Sequence, residues 1–307
     1  MSVFVVINPK AGGGRVKKRW PRLAKRLAEH IGPFASAETA APGHASILTR
    51  EAIRTGADLV ISVGGDGTLN EVVNGFCDAD GKMSTHVSLA VVSLGTGSDF
   101  VRSLSTGMDS IDRIVSGATR RIDLGRVIYF DDDGNQKSRL FANIGSFGVS
   151  GQIDRIVNTT HSRFLPRKAR FLAATIGALA AFRSQRIGMM VDDDPAVTAP
   201  IVLVAVANGR YFGGGMQIAP DAEFDDGLFD IVTLQHTSKL ALLRNLLLVY
   251  SGGHRDHPAI SIRRGRRIRV EPLDGQSEPV LLDLDGEAPG RLPATYEILP
   301  QALALRC

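Results

Sequence analysis

The feature of this sequence that most constrains its fold is a glycine-rich loop at residues 64–71, Gly-Gly-Asp-Gly-Thr-Leu-Asn-Glu. The apolar run before it, residues 57–63, is typical of a buried strand, and the apolar spacing after it is typical of a helix. Glycine lets backbone N–H groups approach an anion closely, and the start of a helix favours negative charge. Because Asp66 would repel a phosphate unless a cation lay between them, the loop predicts a metal–nucleotide site. The alternative is a tight turn whose aspartate caps the helix.

Two further loops in the first third of the chain have the same construction. Residues 8–15, Asn-Pro-Lys-Ala-Gly-Gly-Gly-Arg, join a predicted strand to a predicted helix but do not end as a Walker A motif does. Residues 94–102 place hydroxyls, an acid and two glycines between a strand and a helix. Each loop alone could be a plain turn, with Ser98 or Asp99 as a helix cap. Three such loops in one sheet favour a shared site.

The alternation of strands and helices in this region predicts an α/β domain over residues 1–122, with a doubly wound parallel sheet and helices on both faces. The predicted strands are residues 3–8, 34–39, 57–63 and 89–94. Ligands of such sheets bind beyond the carboxyl ends of the strands. The residues at these ends should therefore converge on one edge, namely Asn8, Thr39, Gly64 and Gly95.

From about residue 121 the pattern changes to strands separated by turns, which predicts a mostly antiparallel second domain over residues 123–293. The predicted strands are residues 121–130, 137–149, 186–191, 201–207, 228–234, 260–270 and 279–285, and the predicted helices are residues 168–184 and 239–252. Residues 219–228 cluster acids around a glycine. Carboxylates and backbone oxygens there could hold a hard cation, although a hairpin turn explains them equally well.

Composition limits the class of protein. The chain has 307 residues, of which 44% are hydrophobic and 22% charged, so we expect a soluble globular protein with room for two domains. Its longest uncharged apolar run is too short to span a bilayer, and residues 1–14 lack the pattern of a signal peptide. Cys77 and Cys307 offer neither a disulfide framework nor a zinc site. These features predict a cytoplasmic location.

The formal net charge is +4, and the excess positive charge is clustered in residues 15–26, 163–170 and 263–269. Such clusters suit polyphosphates, nucleic acid or an anionic membrane surface, or they are simply solvated faces. Aromatic residues are not interleaved with them, which weighs against nucleic acid. We therefore expect no nucleic-acid partner.

Six ordered blocks together resemble the diacylglycerol kinase catalytic domain family, specifically its small soluble bacterial lipid kinases. That family is related to sphingosine and ceramide kinases and, more distantly, to NAD kinases. The blocks are residues 8–15, 64–71, 95–102, 141–148, 208–226 and 285–287. The resemblance implies an N-terminal nucleotide-binding domain like that of NAD kinase and phosphofructokinase, and a C-terminal, mostly antiparallel β-sandwich domain. It also implies that residues 294–307 return to the first domain.

The resemblance assigns ATP and Mg²⁺ to the N-terminal loops. The ATP-contacting positions of the family fall on Asn8, Pro9, Lys10, Ala11, Gly12, Thr39, Gly64, Gly65, Asp66, Gly67, Thr68, Leu69, Asn70, Glu71 and Thr96. Asp66 matches the acid that reaches the catalytic magnesium. Asp99 and Asp123 match acids in the water-linked network around that ion.

The resemblance also assigns roles in the second domain. Glu287 matches the proposed general base of the family, with Asp285 beside it. Asp226, together with the backbone oxygens of Glu223 and Leu228, matches a second, structural magnesium site. One departure concerns the third loop, where the family usually has Gly-Thr-Gly-Asn-Asp and this chain has serine at position 98.

These features predict an ATP- and Mg²⁺-dependent lipid kinase that transfers the γ-phosphate of ATP to a lipid hydroxyl, such as that of diacylglycerol. The basic clusters and residues 164–182 offer a surface for peripheral contact with an anionic membrane, and an exposed strand edge in the second domain would permit a homodimer. Two alternatives stay open: an NAD kinase-like enzyme with a soluble substrate, and a catalytically silent lipid- or nucleotide-binding protein. The sequence does not distinguish diacylglycerol from phosphatidylglycerol, a polyprenol or a long-chain base.

Overall fold

A computed structural model describes residues 1–78, 81–95, 97–104, 107–159, 167–236, 238, 241, 248–249, 252–255, 257–274 and 278–307. The chain divides into two compact units. The first contains Met1–Leu124 and Pro300–Cys307, and the second contains Gly125–Leu299. No helix in the described part of the chain is both long enough and apolar enough to cross a membrane.

Unit 1 is a parallel sheet covered by helices. Its strands and helices in chain order are β1 Val3–Ile7, α1 Ala11–Ile31, β2 Ala35–Glu38, α2 His44–Arg54, β3 Leu59–Gly64, α3 Asp66–Gly75, β4 Ser88–Ser93, α4 Asp99–Ser103 and α5 Ser110–Ser116. The strands pair in the order β2-β1-β3-β4, and all of these pairs are parallel. Every residue of β3 is buried, as expected for a central strand covered on both faces. The prediction of an α/β domain with a parallel sheet is confirmed.

Helix α1 has an irregular start. Gly12, Gly13 and Gly14 have φ angles of +61°, +68° and +83°, so the regular helix begins only after them. Pro21 lies within the helix and on its exposed side. The apolar face packs on the sheet through Val16 and Leu27, both 0% exposed. The opposite face is left to solvent and carries the basic residues.

Unit 2 is mostly antiparallel. Its elements are β5 Thr119–Phe130, β6 Gln136–Phe141, β7 Ile144–Gly148, α6 Val149–Thr159, α7 Arg167–Ala181, β8 Gln185–Val191, β9 Val197–Ala207, β10 Phe229–Gln235, β11 Ile260–Gly265, β12 Arg267–Pro272, β13 Leu282–Leu284 and β14 Arg291–Arg306. Its main strand order is β11-β10-β9-β8-β12-β14, while β7 joins β9 to β13 and β5 joins β14 to β6. Two apolar clusters form its core, one around Phe141 and Tyr296 and one under α6 and α7. This agrees with the predicted sandwich.

Two predicted strands are each broken into two, and in both cases a distant aspartate causes the break. Residues 137–149 divide at Ala142 and Asn143, whose amides donate to the carboxylate of Asp285. Residues 260–270 divide at Arg266, because the amides of positions 266 and 267 donate to Asp192 Oδ1 at 2.9 and 2.8 Å. Helices α5 and α6 were not predicted. The predicted helix at residues 239–252 lies largely outside the described residues.

Candidate active site

The carboxyl ends of the four strands of unit 1 lie at one edge of its sheet, as the sequence predicted. The amide of Asn8 donates to the carbonyl of Val63 at 2.9 Å, and the amide of Thr39 donates to the carbonyl of Ile7 at 2.8 Å. The amide of Gly95 donates to the carbonyl of Gly64 at 3.1 Å. The parallel register therefore delivers all the glycine loops to one place.

The three glycine loops pack against one another through their backbones. A Cβ on Gly12 would lie 2.5 Å from the carbonyl oxygen of Leu94, and its φ of +61° also favours glycine. A Cβ on Gly95 would lie 2.8 Å from the Cα of Gly65. Side chains at these positions would push the loops apart, so the glycines keep the backbone close enough to surround a small anionic group.

Two polar side chains join the first loop to the second. Asn8 Nδ2 donates to Thr68 Oγ1 at 2.9 Å, and Asn8 Oδ1 accepts the amide of Lys10 at 3.1 Å. The side chain of Thr68 occupies the space beside Gly64, where a Cβ would lie 2.5 Å away from it. Lys10 is exposed, whereas Asn8 is half-buried. The loop thus presents the fixed amide of Asn8 and the exposed ammonium group of Lys10 to the same edge.

Two carboxylates converge in front of the third loop. Asp66 begins α3 and Asp99 begins α4. A Cβ on Gly97 would lie 2.8 Å from Asp66 Oδ2 and 3.4 Å from Asp99 Oδ2. Asp99 is 6% exposed and lies 3.7 Å from the guanidinium of Arg102. Mg²⁺ is usually held by one or two carboxylates and the phosphates of a substrate, so this pair of acids fits the predicted ion.

Several of the other predicted ATP-contacting residues have different partners. Leu69 and Asn70 are buried within unit 1, at 3% and 0% exposure. Glu71 Oε2 accepts the amide of Ala45 at 3.0 Å, so this side chain caps the start of α2. Pro9 lies in the first loop, Ala11 and Gly12 lie in the irregular start of α1, and Gly67 lies in the first turn of α3. Thr96 lies outside the described residues.

A hydrogen bond joins Asp123 to the returning end of the chain. Asp123 is 0% exposed, and its Oδ1 accepts the amide of Gln301 at 2.7 Å. Gln301 has a φ of +49°, an unusual conformation for a residue with a side chain. This contact fixes the returning end of the chain, and it gives Asp123 a structural role besides the predicted one.

In unit 2, the carboxylates of Asp285 and Glu287 stabilise the turn at residues 285–287 through hydrogen bonds and an ion pair. Arg139 Nη2 of β6 donates to Glu287 Oε2 at 2.5 Å, and these side chains are 21% and 36% exposed. The carboxylate of Asp285 accepts three backbone amides, those of Ala142, Asn143 and Ile144, at 3.1, 3.2 and 2.9 Å. Asp285 therefore fixes the backbone of residues 142–144, whereas Glu287 is accessible and its carboxylate is paired with Arg139.

The second predicted magnesium site contains an arginine. The guanidinium of Arg264 forms an ion pair with Asp226 and lies 3.7 Å from Asp230 Oδ1. The amide of Leu228 donates to Asp226 Oδ1 at 3.0 Å. In the described part of the chain, no group of three or more His, Cys, Asp and Glu side chains could hold a metal ion. Arg264 already supplies positive charge beside Asp226, and a second magnesium ion at Glu223, Asp226 and Leu228 stays a prediction.

Two contacts of unit 2 escaped sequence analysis. Arg139 is one of many arginines, and only the folded chain, where its Nη2 lies 2.5 Å from Glu287 Oε2, shows that it belongs with Glu287. Asp283 stands two residues before Asp285 in the sequence. Because side chains two residues apart in a strand lie on the same face, this spacing was the one signal that could have identified Asp283 as a candidate. Asp283 is buried, and its Oδ1 accepts the amide of Gly286 in the same turn at 2.9 Å.

The chain matches family models over most of its length. The model described as the diacylglycerol kinase catalytic domain matches residues 2–127. The model described as the YegS C-terminal NAD kinase beta sandwich-like domain matches residues 143–307, which is more than half of the chain. The resemblance inferred from the six blocks is confirmed.

Curated relatives and solved structures agree with these matches. A diacylglycerol kinase of Bacillus subtilis is 27% identical, covering 95% of this chain and 91% of its own, and one of Mycobacterium tuberculosis is 28% identical, covering 98% and 93%. The fold resembles the crystal structure of a diacylglycerol kinase from Bacillus anthracis, with a TM-score of 0.70, 22% identity and coverage of 99% and 96%. It also resembles an NAD kinase from Archaeoglobus fulgidus in complex with ATP, with a TM-score of 0.51, 11% identity and coverage of 99% and 93%. The chain therefore belongs to the diacylglycerol kinase catalytic domain family, a family of kinases that phosphorylate an alcohol group.

Proposed function

We propose that this chain is an ATP- and Mg²⁺-dependent lipid kinase that transfers the γ-phosphate of ATP to the hydroxyl of a lipid such as diacylglycerol. The observation that carries the proposal is the convergence of three glycine loops and two carboxylates, Asp66 and Asp99, at one edge of the sheet of unit 1. The relatives named diacylglycerol kinase, which align over nearly the whole chain, support a lipid acceptor.

The residues at this edge are suited to binding a triphosphate. Phosphoryl transfer depends on positioning and on stabilising negative charge, both of which preorganised backbone amides supply. Asn8, locked to Thr68 at 2.9 Å, fixes the first loop relative to the second. Lys10 is exposed and adds a positive charge at the same edge. Mg²⁺, held at Asp66 and Asp99, would offset the charge of the triphosphate when bound.

Glu287 is the residue proposed to take the proton from the attacking hydroxyl. A general base must be accessible and must point in a defined direction. Its side chain is 36% exposed, and the 2.5 Å contact with Arg139 restricts its rotamer. The carboxylate of Asp285 is occupied by three backbone amides, so Glu287 is preferred as the base.

Contact with an anionic membrane belongs to the same proposal, and the contacts favour α1 as the docking element. Lys18, Arg22 and Lys25 are exposed and lie on one side of α1, and none of them is paired with a carboxylate of the described residues. The third basic cluster is largely neutralised, because Arg263, Arg264 and Arg267 form ion pairs with Asp194, Asp226 and Glu297. The side chains of the second cluster lie outside the described residues.

The large apolar side chains at the end of the stretch at residues 164–182 are mostly buried and so do not favour a membrane contact. Ala178, Leu179 and Phe182 are 3%, 6% and 7% exposed and pack in the core under α6 and α7. Ile176 is a large hydrophobic residue exposed at 43%, and the other exposed positions among residues 173–182 carry only alanine or glycine. We therefore assign membrane contact to charge on α1 and not to this stretch.

The deciding experiment is a kinase assay with radiolabelled ATP and a lipid panel, with the products partitioned between organic and aqueous phases. The panel contains diacylglycerol, phosphatidylglycerol, a polyprenol and a long-chain base, and NAD is assayed in parallel. We expect label in the organic phase, lost by more than about 100-fold in Asp66→Ala and by about 100-fold or more in Glu287→Gln. Asp112→Ala, which removes an exposed carboxylate of unit 1 away from the loops, is the matched control and should behave as wild type.

The other outcomes would overturn the proposal. Label on NAD alone would identify an NAD kinase-like enzyme. Binding of Mg·ATP without transfer to any acceptor would identify a catalytically silent binding protein. Normal transfer by Asp66→Ala would show that the carboxylate of Asp66 takes no part in the reaction.

A further inference from the structure

A buried acid pair lies directly behind the turn that carries Glu287. Asp283 on β13 and Asp154 on α6 are 6% and 7% exposed. Their carboxyl groups hydrogen-bond to each other. Two carboxyl groups can share a hydrogen bond only if one of them keeps its proton, and burial, which raises the pKa of Asp283, favours this state. The pair therefore carries a single negative charge.

Two serine hydroxyls support this pair. Ser146 Oγ of β7 donates to Asp283 Oδ2 at 3.0 Å, and Ser146 Oγ lies 2.8 Å from Ser150 Oγ. Ser150 and Asp154 are four residues apart on α6, so they share one face of that helix. The hydrogen bonds thus connect three elements, α6, β7 and β13, in a region that solvent does not reach. Such a network is rigid when all of its members are satisfied.

The other carboxylate oxygen of Asp283 reaches the turn itself. Asp283 Oδ1 accepts the amide of Gly286 at 2.9 Å. Gly286 has a φ of +89°, and Asp285 before it has a φ of +50°. A left-handed conformation at a non-glycine residue needs support from its surroundings. Asp285 receives this support from the amides of residues 142–144 on one side, and Gly286 receives it from Asp283 on the other.

We propose that Asp283, held in place by Asp154, is a positioning residue that fixes the Gly286 peptide and thereby the direction in which the Glu287 carboxylate points. The inference rests on the proposed function, in which Glu287 takes the proton of the lipid hydroxyl. Asp283 itself touches no substrate. Its carboxylate acts through one backbone hydrogen bond, and Asp154 supplies the proton that allows two acids to occupy one buried space.

The arrangement has a consequence at high pH. The titratable and charged groups around Asp283 are Asp154 from α6 and Tyr296 from β14, with Asp285, Glu287 and its partner Arg139 at the turn. Burial raises the pKa of Tyr296, so this ring stays neutral. Loss of the shared proton would therefore place two negative charges together in a buried site and loosen the turn. Turnover should fall on the alkaline side.

The test compares three variants in the lipid kinase assay across pH. Asp283→Ala removes the acceptor of the Gly286 amide, and we expect kcat to fall about 10- to 100-fold while the KM for ATP stays within about twofold. Asp154→Asn keeps a hydrogen-bond donor to Asp283 but cannot ionise, so it should retain most of the turnover and shift the alkaline limb to higher pH. Asp192→Asn is the matched control, since Asp192 also holds a turn of unit 2 through two amides, and it should change neither kcat nor the pH profile.

Amide hydrogen exchange separates this inference from the proposed function. If the wild-type chain phosphorylates no lipid, the proposed function fails, and exchange over residues 284–288 then decides the positioning role. Faster exchange over these residues in Asp283→Ala supports the inference, provided that Asp154→Asn exchanges them at the wild-type rate at pH values below the alkaline limb. Unchanged exchange in Asp283→Ala, or an alkaline limb that Asp154→Asn does not move, overturns it. Should Asp283→Ala not fold, the pH profile and the exchange of Asp154→Asn give the decision.

Discussion

Among single residues, Gly97 most directly controls the proposed cation site, because it lies where the carboxylates of Asp66 and Asp99 approach each other. A Cβ at this position would lie 2.8 Å from one carboxylate oxygen and 3.4 Å from the other. Gly97→Ala should therefore push the two acids apart and lower kcat/KM about 10- to 100-fold. The unfolding free energy should change by less than about 1 kcal/mol, because the site is at a loop.

The measurement is a titration of kinase activity against Mg²⁺ for Gly97→Ala, with thermal unfolding in parallel. The control is Gly177→Ala, since a Cβ there meets no atom within 4 Å. Wild-type activity and an unchanged Mg²⁺ dependence in Gly97→Ala would contradict a cation between Asp66 and Asp99.

Asp230 predicts a pH dependence of stability. It is 4% exposed, and burial together with Glu223 raises its pKa from 3.8 to about 6. The folded protein therefore prefers the protonated acid, so this contribution to stability is complete below about pH 4 and is lost as the pH rises through about 6. The Asp230→Asn variant cannot ionise at this position, so it should not lose this stability as the pH rises. It should be more stable than the wild type by on the order of 1 kcal/mol at pH 7.5. The gain is limited because Arg264, 3.7 Å away, partly stabilises the charged form.

Thermal unfolding from pH 4 to pH 8 checks this expectation. The difference in Tm between Asp230→Asn and wild type should grow as the pH rises through 6. The control Asp274→Asn, at an exposed aspartate of the same unit, should give a curve parallel to that of wild type. A constant difference for Asp230→Asn would show that its carboxyl does not titrate in this range.

The residues that sequence analysis located are those whose local pattern is distinctive. Asp66 and Asp99 stand among glycines between a strand and a helix, and the structure brings them together. Arg139 and Asp283 have no such pattern, because their partners are more than 100 residues away along the chain or hidden in the core. Charge pairs of this kind depend on strand pairing, which the sequence of one segment does not contain.

At the scale of secondary structure, α1 makes a prediction of its own. It packs one face on the sheet and exposes the basic residues opposite, of which Lys18, Arg22 and Lys25 have no carboxylate partner among the described residues. Each contributes about 1 kcal/mol near an anionic leaflet. Lys18→Glu combined with Arg22→Glu should therefore weaken binding to vesicles with 30% anionic lipid by roughly 100-fold or more, while activity towards a short-chain soluble substrate stays intact.

Vesicle co-sedimentation at two salt concentrations measures this effect. Wild-type binding should fall steeply as salt rises, because the attraction is electrostatic. The control is Arg263→Glu with Arg267→Glu, which reverses the same number of charges at positions already paired with Asp194 and Glu297. Equal losses in the two double variants would show that net charge, and not α1, determines binding.

The ends of strands and helices could be predicted where the hydrophobic periodicity of the sequence alone determines them. The positions of β1 to β4 and of α3 follow from buried apolar runs and a helical spacing. The predicted strands at 137–149 and 260–270 were too long, because the carboxylates of Asp285 and Asp192 take amides out of the ladder. Both acids have positive φ angles, +50° and +51°, so they also form the turns from which they reach those amides. Such breaks come from tertiary contacts and leave no trace in the periodicity of the strand.

At the scale of the whole molecule, the chain passes from unit 1 to unit 2 through β5 and returns through β14. The last eight residues belong to unit 1, where Leu303 and Leu305 are 0% exposed and Ala304 and Leu305 pair in parallel with β4. The amide of Gln301 is held by Asp123 at 2.7 Å. Unit 1 is thus built from two segments that are distant in sequence.

This arrangement predicts that a fragment of residues 1–124 is unstable and that the addition of residues 300–307 restores its stability. Each buried leucine contributes roughly 1.5–3 kcal/mol, and a domain of this size is stable by only about 5–15 kcal/mol, so loss of the final strand removes much of the total. Residues 124 and 300 can be joined by a short Gly-Ser linker, since Asp123 and Gln301 are in hydrogen-bond contact. The joined protein should unfold cooperatively and bind Mg·ATP, whereas the 1–124 fragment should not. In the matched control, Leu305→Asp in the joined protein, the linker and length are unchanged but the buried contact is lost, and stability should fall to that of the fragment. A fragment 1–124 that melts at the same temperature as the joined protein would show that the returning strand is dispensable for unit 1.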